Sequence, residues 1–303
     1  MPEHPSPPLH PRSAGTSEET PEAPFDPGAP RTPRPWMPTA LHSLGFLAVY
    51  LLAVCTPWGQ RAENLLFDLG EKRAAAWIYP LSGAEYGSIP LPPLESSAEA
   101  TLLVGLVVVA AVTLVRRCWW QGCAALGVVI CTTGGKEVLA SALPRPDLLG
   151  APPNLLDQGF PSGHTAIPAA LTLAAALVAS PRVRPYAVAT GVLWLSCISA
   201  ASAVLGGHRP SEVLGATLLA CACYSLATWL LPPAATPSTT RSPRALPAVT
   251  LALASAVALA SAMWPGALTR SLVTAATAFV CAALVWYAAA GWPARTARRT
   301  SAH

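Results

Sequence analysis

The chain has 303 residues, of which 52% are hydrophobic and only 11% are charged. Soluble domains usually carry about a quarter charged residues, so this composition predicts a protein whose solvent is mostly lipid. The formal net charge of +4 is too small to indicate a nucleic-acid partner. The eight cysteines lie in or beside apolar runs without regular spacing. They therefore indicate buried helix packing rather than a disulfide framework or a metal site.

The N-terminal segment has a composition of its own. The first 38 residues hold 12 of the 33 prolines, interleaved with Ser, Glu, Gly and Arg. Such a stretch buries little apolar surface, and we predict a disordered cytoplasmic tail over residues 1–38. A cleavable signal peptide starts with a basic region followed at once by an apolar core. Here the first apolar run begins only near Ala40, which predicts a retained anchor helix.

Eight apolar runs follow, each approaching the roughly 20 residues that a helix needs to cross the hydrocarbon core of a bilayer. Because no alternation of period two accompanies them, they predict an all-α transmembrane bundle of about eight helices. We divide the chain into the tail, a membrane domain (39–231), two further C-terminal helices (232–290) and a basic cytoplasmic tail (291–303). The runs lie near residues 40–58, 98–115, 118–142, 165–180, 186–205, 213–231, 245–264 and 269–290.

The basic residues sort by loop when the runs are threaded with the N-terminus inside. Of the 19 Lys and Arg residues, 12 then fall on the cytoplasmic side, where each hairpin carries an arginine pair. The positive-inside tendency therefore predicts a multi-pass cell-membrane protein with both termini cytoplasmic and its other loops extracytoplasmic. The exceptions on the outer side are Arg61, Lys72, Arg73, Lys136, Arg145, Arg209 and Arg270.

Three short polar segments interrupt the apolar background, and this threading brings all of them to the outer face. They span residues 136–147, 160–165 and 206–212. His164 and His208 are 44 residues apart, which is enough for one helix inward, a short turn and one helix back. We therefore expect the two imidazoles to lie at the same depth.

The residue types in these segments suit phosphate chemistry. Lys136 and Arg145 supply positive charge and hydrogen-bond donors for phosphate oxygens. Ser162 and Gly163 stand at a helix start, where free N–H groups and the helix dipole attract anions. Two histidines that titrate near neutrality can divide the roles of nucleophile and acid. Since the sequence has no carboxylate cluster of the kind that carries Mg²⁺, we predict a phosphohistidine mechanism without metal or cofactor.

The three segments resemble the signature of the type 2 phosphatidic acid phosphatase superfamily, over about residues 118–231. That signature is a Lys separated by six residues from Arg-Pro, then Pro-Ser-Gly-His, and then Ser-Arg, five residues, His, three residues and Asp. The stretch 160–165 matches it in full. The family contains membrane phosphatases for lipid phosphates and polyprenyl pyrophosphates, soluble acid phosphatases and vanadium haloperoxidases.

The resemblance implies a role for each matching position. His208 would take the phosphoryl group, Glu212 would orient and polarise it, and His164 would protonate the leaving group. The implied phosphate-binding groups are Lys136, Arg145, Ser162 and the Gly163 amide, and Arg209 is a further candidate. The implied function is a metal-independent phosphatase for a lipid phosphate or a polyprenyl pyrophosphate such as undecaprenyl pyrophosphate. Substrate and membrane lipids are the expected partners, and the Ala, Pro and Arg content is typical of a high-GC bacterial genome.

The sequence also departs from the signature. Eight residues rather than six separate Lys136 from Arg145, so a loop, favoured by Pro144, has to absorb a rotation of about 200°. Ser202 stands where the family has Arg, which removes a charged donor, and Glu212 replaces Asp. These departures motivate an alternative hypothesis, a phosphatase-like protein that binds phospholipid or anionic headgroups without turnover. An inverted-repeat transporter is less favoured, because no second copy of the segments is present.

Two regions lie outside the resemblance. The segment 59–97 has Leu, Trp, Tyr and Pro clusters with little periodicity. We expect it to cover the site or to lie at the interface, with Trp77 and Tyr79 at headgroup level. For the last two helices, beyond residue 244, packing, oligomerisation and partner docking all stay open.

Overall fold

The structure is a computed structural model that describes residues 36–68, 88–91, 94–150, 159–204, 208–232, 243, 245–262 and 268–290. These residues form nine α-helices and one antiparallel hairpin. In chain order the elements are α1 (Met37–Val49, continued by a π-helical turn over Tyr50–Val54), α2 (Pro57–Asp68), β1 (Ser88–Leu91), β2 (Leu94–Ser96), α3 (Ser97–Arg116), α4 (Trp119–Ala142), α5 (Gly163–Val178), α6 (Arg184–Val204), α7 (Pro210–Leu230), α8 (Leu246–Ala262) and α9 (Leu268–Ala290).

Most of the helices match the apolar runs of the sequence. Six helical segments are long and apolar enough to cross a membrane: Met37–Val54, Ala98–Arg116, Trp119–Ala142, Arg184–Ser202, Pro210–Leu230 and Leu268–Ala290. Two shorter apolar helices, Gly163–Val178 and Leu246–Ala260, account for the other two runs. The prediction of an all-α, multi-pass membrane bundle is confirmed, and its count of about eight is approximate.

The short helix α5 is the centre of the bundle. It packs against α3, α4, α6 and α7, and most of its side chains are buried. Ala169, Ala170 and Ala174 have no exposed surface. Small side chains of this kind let helix backbones approach closely, which matters in a bilayer because lipid provides no hydrophobic force between helices. Because α5 is enclosed by its neighbours, its 16 residues need not match the thickness of the bilayer.

Two sets of contacts define the two ends of the bundle. At one end, which we call the arginine end, Arg116 donates to the carbonyl of Val178. Arg184 at the same end donates to the Tyr224 hydroxyl (2.9 Å) and to the Ala289 carbonyl (2.8 Å). The opposite end, the site end, holds the C-terminal ends of α1 and α4 and the start of α5, α7 and α9. The described residues of the three polar segments, 136–147, 160–165 and 208–212, lie at this end.

The segment predicted to have little periodicity is partly regular. Residues 57–68 form α2, whose Gln60 and Glu63 are buried at the site end, and residues 88–91 and 94–96 form the two strands of the hairpin. Trp77 and Tyr79 lie outside the described residues, as do the predicted tails, apart from residues 36–38.

Candidate active site

Two histidines from different helices meet at the site end. His164 lies in the first turn of α5, and His208 lies two residues before α7. Their Nδ1 and Nε2 atoms, respectively, are 2.9 Å apart. Ser162 joins the two helix starts, because its hydroxyl accepts from the Thr165 N–H (3.3 Å) while its own N–H donates to the Glu212 carbonyl (3.0 Å). The spacing of 44 residues thus brings the imidazoles together as predicted from the helix lengths.

A carboxylate holds the second histidine. The Nδ1 atom of His208 is 2.9 Å from Oε2 of Glu212, one helical turn later. Glu212 is 2% exposed. An ionised carboxylate can only accept hydrogen bonds, so Nδ1 carries the proton and Nε2 of a neutral His208 presents a lone pair. His164, His208 and Glu212 therefore form a continuous relay.

Gly159 makes room for this carboxylate. A Cβ atom built on Gly159 would lie 2.5 Å from Oε2 of Glu212 and 2.8 Å from its Cδ. No side chain other than hydrogen fits such an approach without moving the carboxylate. The residue directly precedes the matched stretch 160–165, so the same short loop also leads to the cap of α5.

A cleft of about 380 Å³ opens beside the histidines. Its lining includes Lys136, Gly163, His164 and His208. A Cβ atom on Gly163 would be 3.2 Å from Nζ of Lys136, so the ammonium group reaches the N-terminus of α5. The sequence required a loop between Lys136 and Arg145 to accommodate the two extra residues. The structure has such a loop, since α4 ends at Ala142. The ammonium of Lys136, which is paired with Glu137 (2.5 Å), and the N-terminus of α5 thus face the same space.

Arg145 lies behind this cleft rather than on its wall. Its side chain is 5% exposed, and Nη1 is 3.5 Å from Oε2 of Glu63. Its pKa lies below its ordinary value because the guanidinium is buried and because Arg209 is close. Among the described residues, Nη2 of Arg145 is buried without a hydrogen-bond partner.

Arg209 and Ser202 support the relay in the structure. Arg209 is the N-cap of α7, and both its backbone N–H (3.2 Å) and its Nη1 (3.0 Å) donate to the carboxylate of Glu212. The carbonyl of Ser202 accepts from the N–H of His208 (3.1 Å), and its side chain is fully buried. Arg209, predicted from its position to bind phosphate, is thus engaged with Glu212.

Three further residues at this site were not predicted from the sequence. Gln60 and Glu63 lie one turn apart on α2 and are buried against the loop that carries Arg145. Arg270, from the start of α9, lines a small cavity of about 20 Å³ together with Glu63, His208 and Arg209. Two polar residues at i and i+3 in a helix next to an anchor were the available signal for α2. For Arg270 the signal was its place among the charges on the outer face.

Comparison with known proteins shows that part of this chain is similar to a family. The family model described as PAP2 superfamily matches residues 117–237, which include the relay and the cleft lysine. We call this stretch the PAP2-like region. This confirms the resemblance seen in the three polar segments.

The match to curated relatives covers less of the molecule. Phosphatidylglycerophosphatase B of Escherichia coli strain K12 is 37% identical over 71 residues, which is 23% of this chain and 28% of that protein. The proteins of the same name from Escherichia coli O157:H7 and Shigella flexneri match to the same extent. The similarity therefore spans less than a third of these relatives. No solved structure matches the chain.

Proposed function

We propose that the protein is a metal-independent phosphatase that hydrolyses a lipid phosphate or a polyprenyl pyrophosphate through a phosphohistidine at His208. The observation that carries this proposal is the relay His164–His208–Glu212, with both contacts at 2.9 Å. Its first two members line a cleft that also presents a lysine and a helix N-terminus. A nucleophile, an acid and an anion site within one space are what phosphoryl transfer requires.

In the first step the contact between His164 and His208 opens, and the phosphoryl group enters between the two rings. Nε2 of His208 attacks phosphorus, and the bond from phosphorus to the leaving oxygen breaks as the N–P bond forms. His164 protonates that oxygen, which belongs to the lipid alcohol or to a lipid monophosphate. Glu212 stabilises the positive charge that develops on the imidazole of His208.

In the second step water attacks the phosphorus of the phosphohistidine. His164 now accepts a proton from that water, following microscopic reversibility. The N–P bond breaks, inorganic phosphate leaves, and His208 returns to its neutral form. Lys136 and the N–H groups at the start of α5 stabilise the charge on the phosphoryl oxygens in both steps.

An apolar groove supports a lipid as the substrate. A groove of about 640 Å³ lies between α3, α5 and α6, and Val104, Leu171 and Trp194 contribute to its lining. Ile167 lines the cleft, and Leu171, one turn further along α5, lines the groove. A headgroup phosphate at the histidines and a hydrocarbon chain along α5 would thus occupy adjoining spaces.

We place the site end on the extracytoplasmic side. The arginine end carries the pairs Arg116–Arg117 and Arg182–Arg184 in its turns, and short turns rich in arginine favour the cytoplasm. The N-terminal end of α1 and the C-terminal end of α9 also belong to the arginine end, so both termini would be cytoplasmic.

A second candidate function is binding of a phospholipid or anionic headgroup without turnover. It is favoured by Ser202, whose buried hydroxyl group stands where the resemblance expects a guanidinium. Without that donor, a developing phosphoryl charge lacks one charged hydrogen bond, which costs about 3 kcal/mol of barrier in comparable sites.

Phosphate release by the purified protein in detergent, with EDTA present, distinguishes the two functions. The substrates are phosphatidic acid, phosphatidylglycerophosphate and undecaprenyl pyrophosphate, and the variants are His208→Ala and Ser202→Arg. Turnover that survives EDTA and falls at least about 10³-fold in His208→Ala is expected. His42→Gln is the matched control, because His42 is bonded to Ser225 elsewhere in the bundle. A silent wild type, with activity gained by Ser202→Arg, would instead favour the binder.

A further inference from the structure

The helix α2 carries two buried polar side chains that the proposed mechanism does not use. Gln60 is 1% exposed and Glu63 is 6% exposed. They are three residues apart, so they lie on one face of the helix. Both lie outside the PAP2-like region at residues 117–237. Burying a polar amide and a carboxylate is unfavourable unless each finds partners, and their partners belong to the site.

Glu63 bridges two parts of the site with one carboxylate. Its Oε1 accepts from the N–H of Ser211 (3.1 Å), the residue directly before Glu212. Its Oε2 lies 3.5 Å from Nη1 of Arg145. The loop after α4 and the start of α7 are therefore tied together through this side chain.

Gln60 holds the backbone around the same arginine. Its Nε2 donates to the carbonyls of Val54 (2.8 Å) and Pro146 (2.6 Å), and its Oε1 accepts from the N–H of Leu148 (3.4 Å). On the other side of Arg145, the Tyr50 hydroxyl donates to the Pro144 carbonyl (2.8 Å). The backbone is thus fixed both before and after the arginine.

Glu63 belongs to a set of charged groups at the site. Arg145 and Arg209 face the carboxylates of Glu63 and Glu212, and Arg270 lines the cavity beside Glu63. Burial raises the pKa of Glu63, and the contacts with Ser211 and Arg145 oppose this effect. Removing one member of a buried set leaves the others uncompensated. Without Glu63, two guanidinium groups would share one carboxylate, and Arg145 would lose the partner that fixes its orientation.

We propose that Glu63 is a positioning residue that orients Arg145 for phosphate binding, and that Gln60 fixes the loop on which Arg145 stands. Glu63 occupies Nη1 of Arg145 and leaves Nη2 for a phosphoryl oxygen of the substrate. This inference rests on the proposed function. It adds to the PAP2-like region a support that lies in α2, earlier in the chain.

A double-mutant cycle on phosphate release tests the inference. Glu63→Gln keeps an oxygen that can accept from Ser211 but removes the charge that orients Arg145. We expect kcat/KM to fall about tenfold in Glu63→Gln. We further expect Arg145→Ala and the double variant Glu63→Gln/Arg145→Ala to agree within about twofold, because Glu63 acts through Arg145. Glu99→Gln, an exposed carboxylate at the start of α3, is the matched control and keeps wild-type activity.

A purely structural role of Glu63 gives a different result. The double variant would then lose a further factor equal to the effect of Glu63→Gln alone, and this outcome overturns the proposal. Unchanged activity in Glu63→Gln overturns it as well. If Glu63→Gln does not fold, Gln60→Met in the same cycle with Arg145→Ala decides, since it leaves all four charges in place. Additivity there likewise overturns the proposal.

Binding separates this inference from the proposed function. If the wild-type protein releases no phosphate, the phosphatase proposal fails, and the same variants are compared by the affinity for phosphatidic acid in nanodiscs. Weaker binding in Glu63→Gln that is not additive with Arg145→Ala supports the positioning role even then. Equal binding by wild type and Glu63→Gln rejects it.

Discussion

The site is assembled from two regions with different tasks. The PAP2-like region, residues 117–237, supplies the relay His164–His208–Glu212 and the lysine of the cleft. Residues outside this region hold the site from other helices. Tyr50, Gln60 and Glu63 contact the loop that carries Arg145. Arg270 lines the cavity beside His208. The comparison teaches that the reactive groups are concentrated in one stretch, while the position of Arg145 depends on helices outside it.

The two regions differ in the range of their contacts along the chain. Glu212 reaches His208 within one helical turn, so this contact of the relay forms wherever α7 begins correctly. Arg145 and the two prolines beside it are instead held by contacts that span 82 to 94 residues of the chain. Local contacts leave a motif in the sequence, whereas contacts of this length do not. Single variants in each region measure how much that region contributes to phosphate release.

Glu212→Gln should have the largest effect, because it removes the charge that stabilises the imidazole of His208 and that pairs with Arg209. We expect kcat to fall by about 10²- to 10³-fold. Glu212→Asp keeps the carboxylate on a shorter side chain and should retain more activity. Steady-state phosphate release measures both. A Glu212→Gln variant within about threefold of wild type would remove Glu212 from the relay.

Gly159→Ala should have an intermediate effect within the same region. The added Cβ would approach Oε2 of Glu212 to 2.5 Å, so the carboxylate has to shift away from His208. We expect kcat to fall by about 10- to 100-fold, since misplacement by about 1 Å is costly in an active site. Gly127→Ala is the control, because a Cβ there meets no atom within 4 Å. Equal activities of the two variants would show that Gly159 does not shape the relay.

Arg270→Leu should have the smallest effect and tests the flanking region at α9. Arg270 lines the cavity beside His208, so its loss lowers the positive potential at the proposed nucleophile. We expect kcat/KM to fall about three- to tenfold, the range of about 1 kcal/mol for a charge that is partly solvated. Arg182→Leu at the arginine end is the matched control. A loss as large as that of Glu212→Gln would mean that α9 belongs to the catalytic centre itself.

Much of this architecture was predictable from the sequence. The eight apolar runs match helices of the structure, and the spacing of His164 and His208 predicts their meeting because helix length and bilayer thickness are fixed. The loop after Ala142 that lets Lys136 face the cleft was also required by the pattern. Each of these follows from periodicity or from residues close together in the chain.

The supporting contacts were not predictable in the same way. The short helix α2 alternates buried Gln60 and Glu63 with exposed Arg61 and Leu65, which does not produce the apolar face that marks a helix in a sequence. The contact between Arg209 and Glu212 was also not predicted, because the guanidinium that caps α7 is the same group that could bind phosphate. Tertiary contacts decide the first case, and local capping of α7 decides the second.

The most direct test of the central claim is detection of the covalent intermediate. The protein is mixed with a lipid phosphate labelled with ³²P, and the reaction is stopped with alkali, in which phosphohistidine is stable. If His208 is the nucleophile, we expect labelled wild-type protein, with the label on the peptide that contains His208. We expect no label in His208→Ala. Wild-type turnover with the label absent from that peptide, or full turnover in His208→Ala, would contradict it.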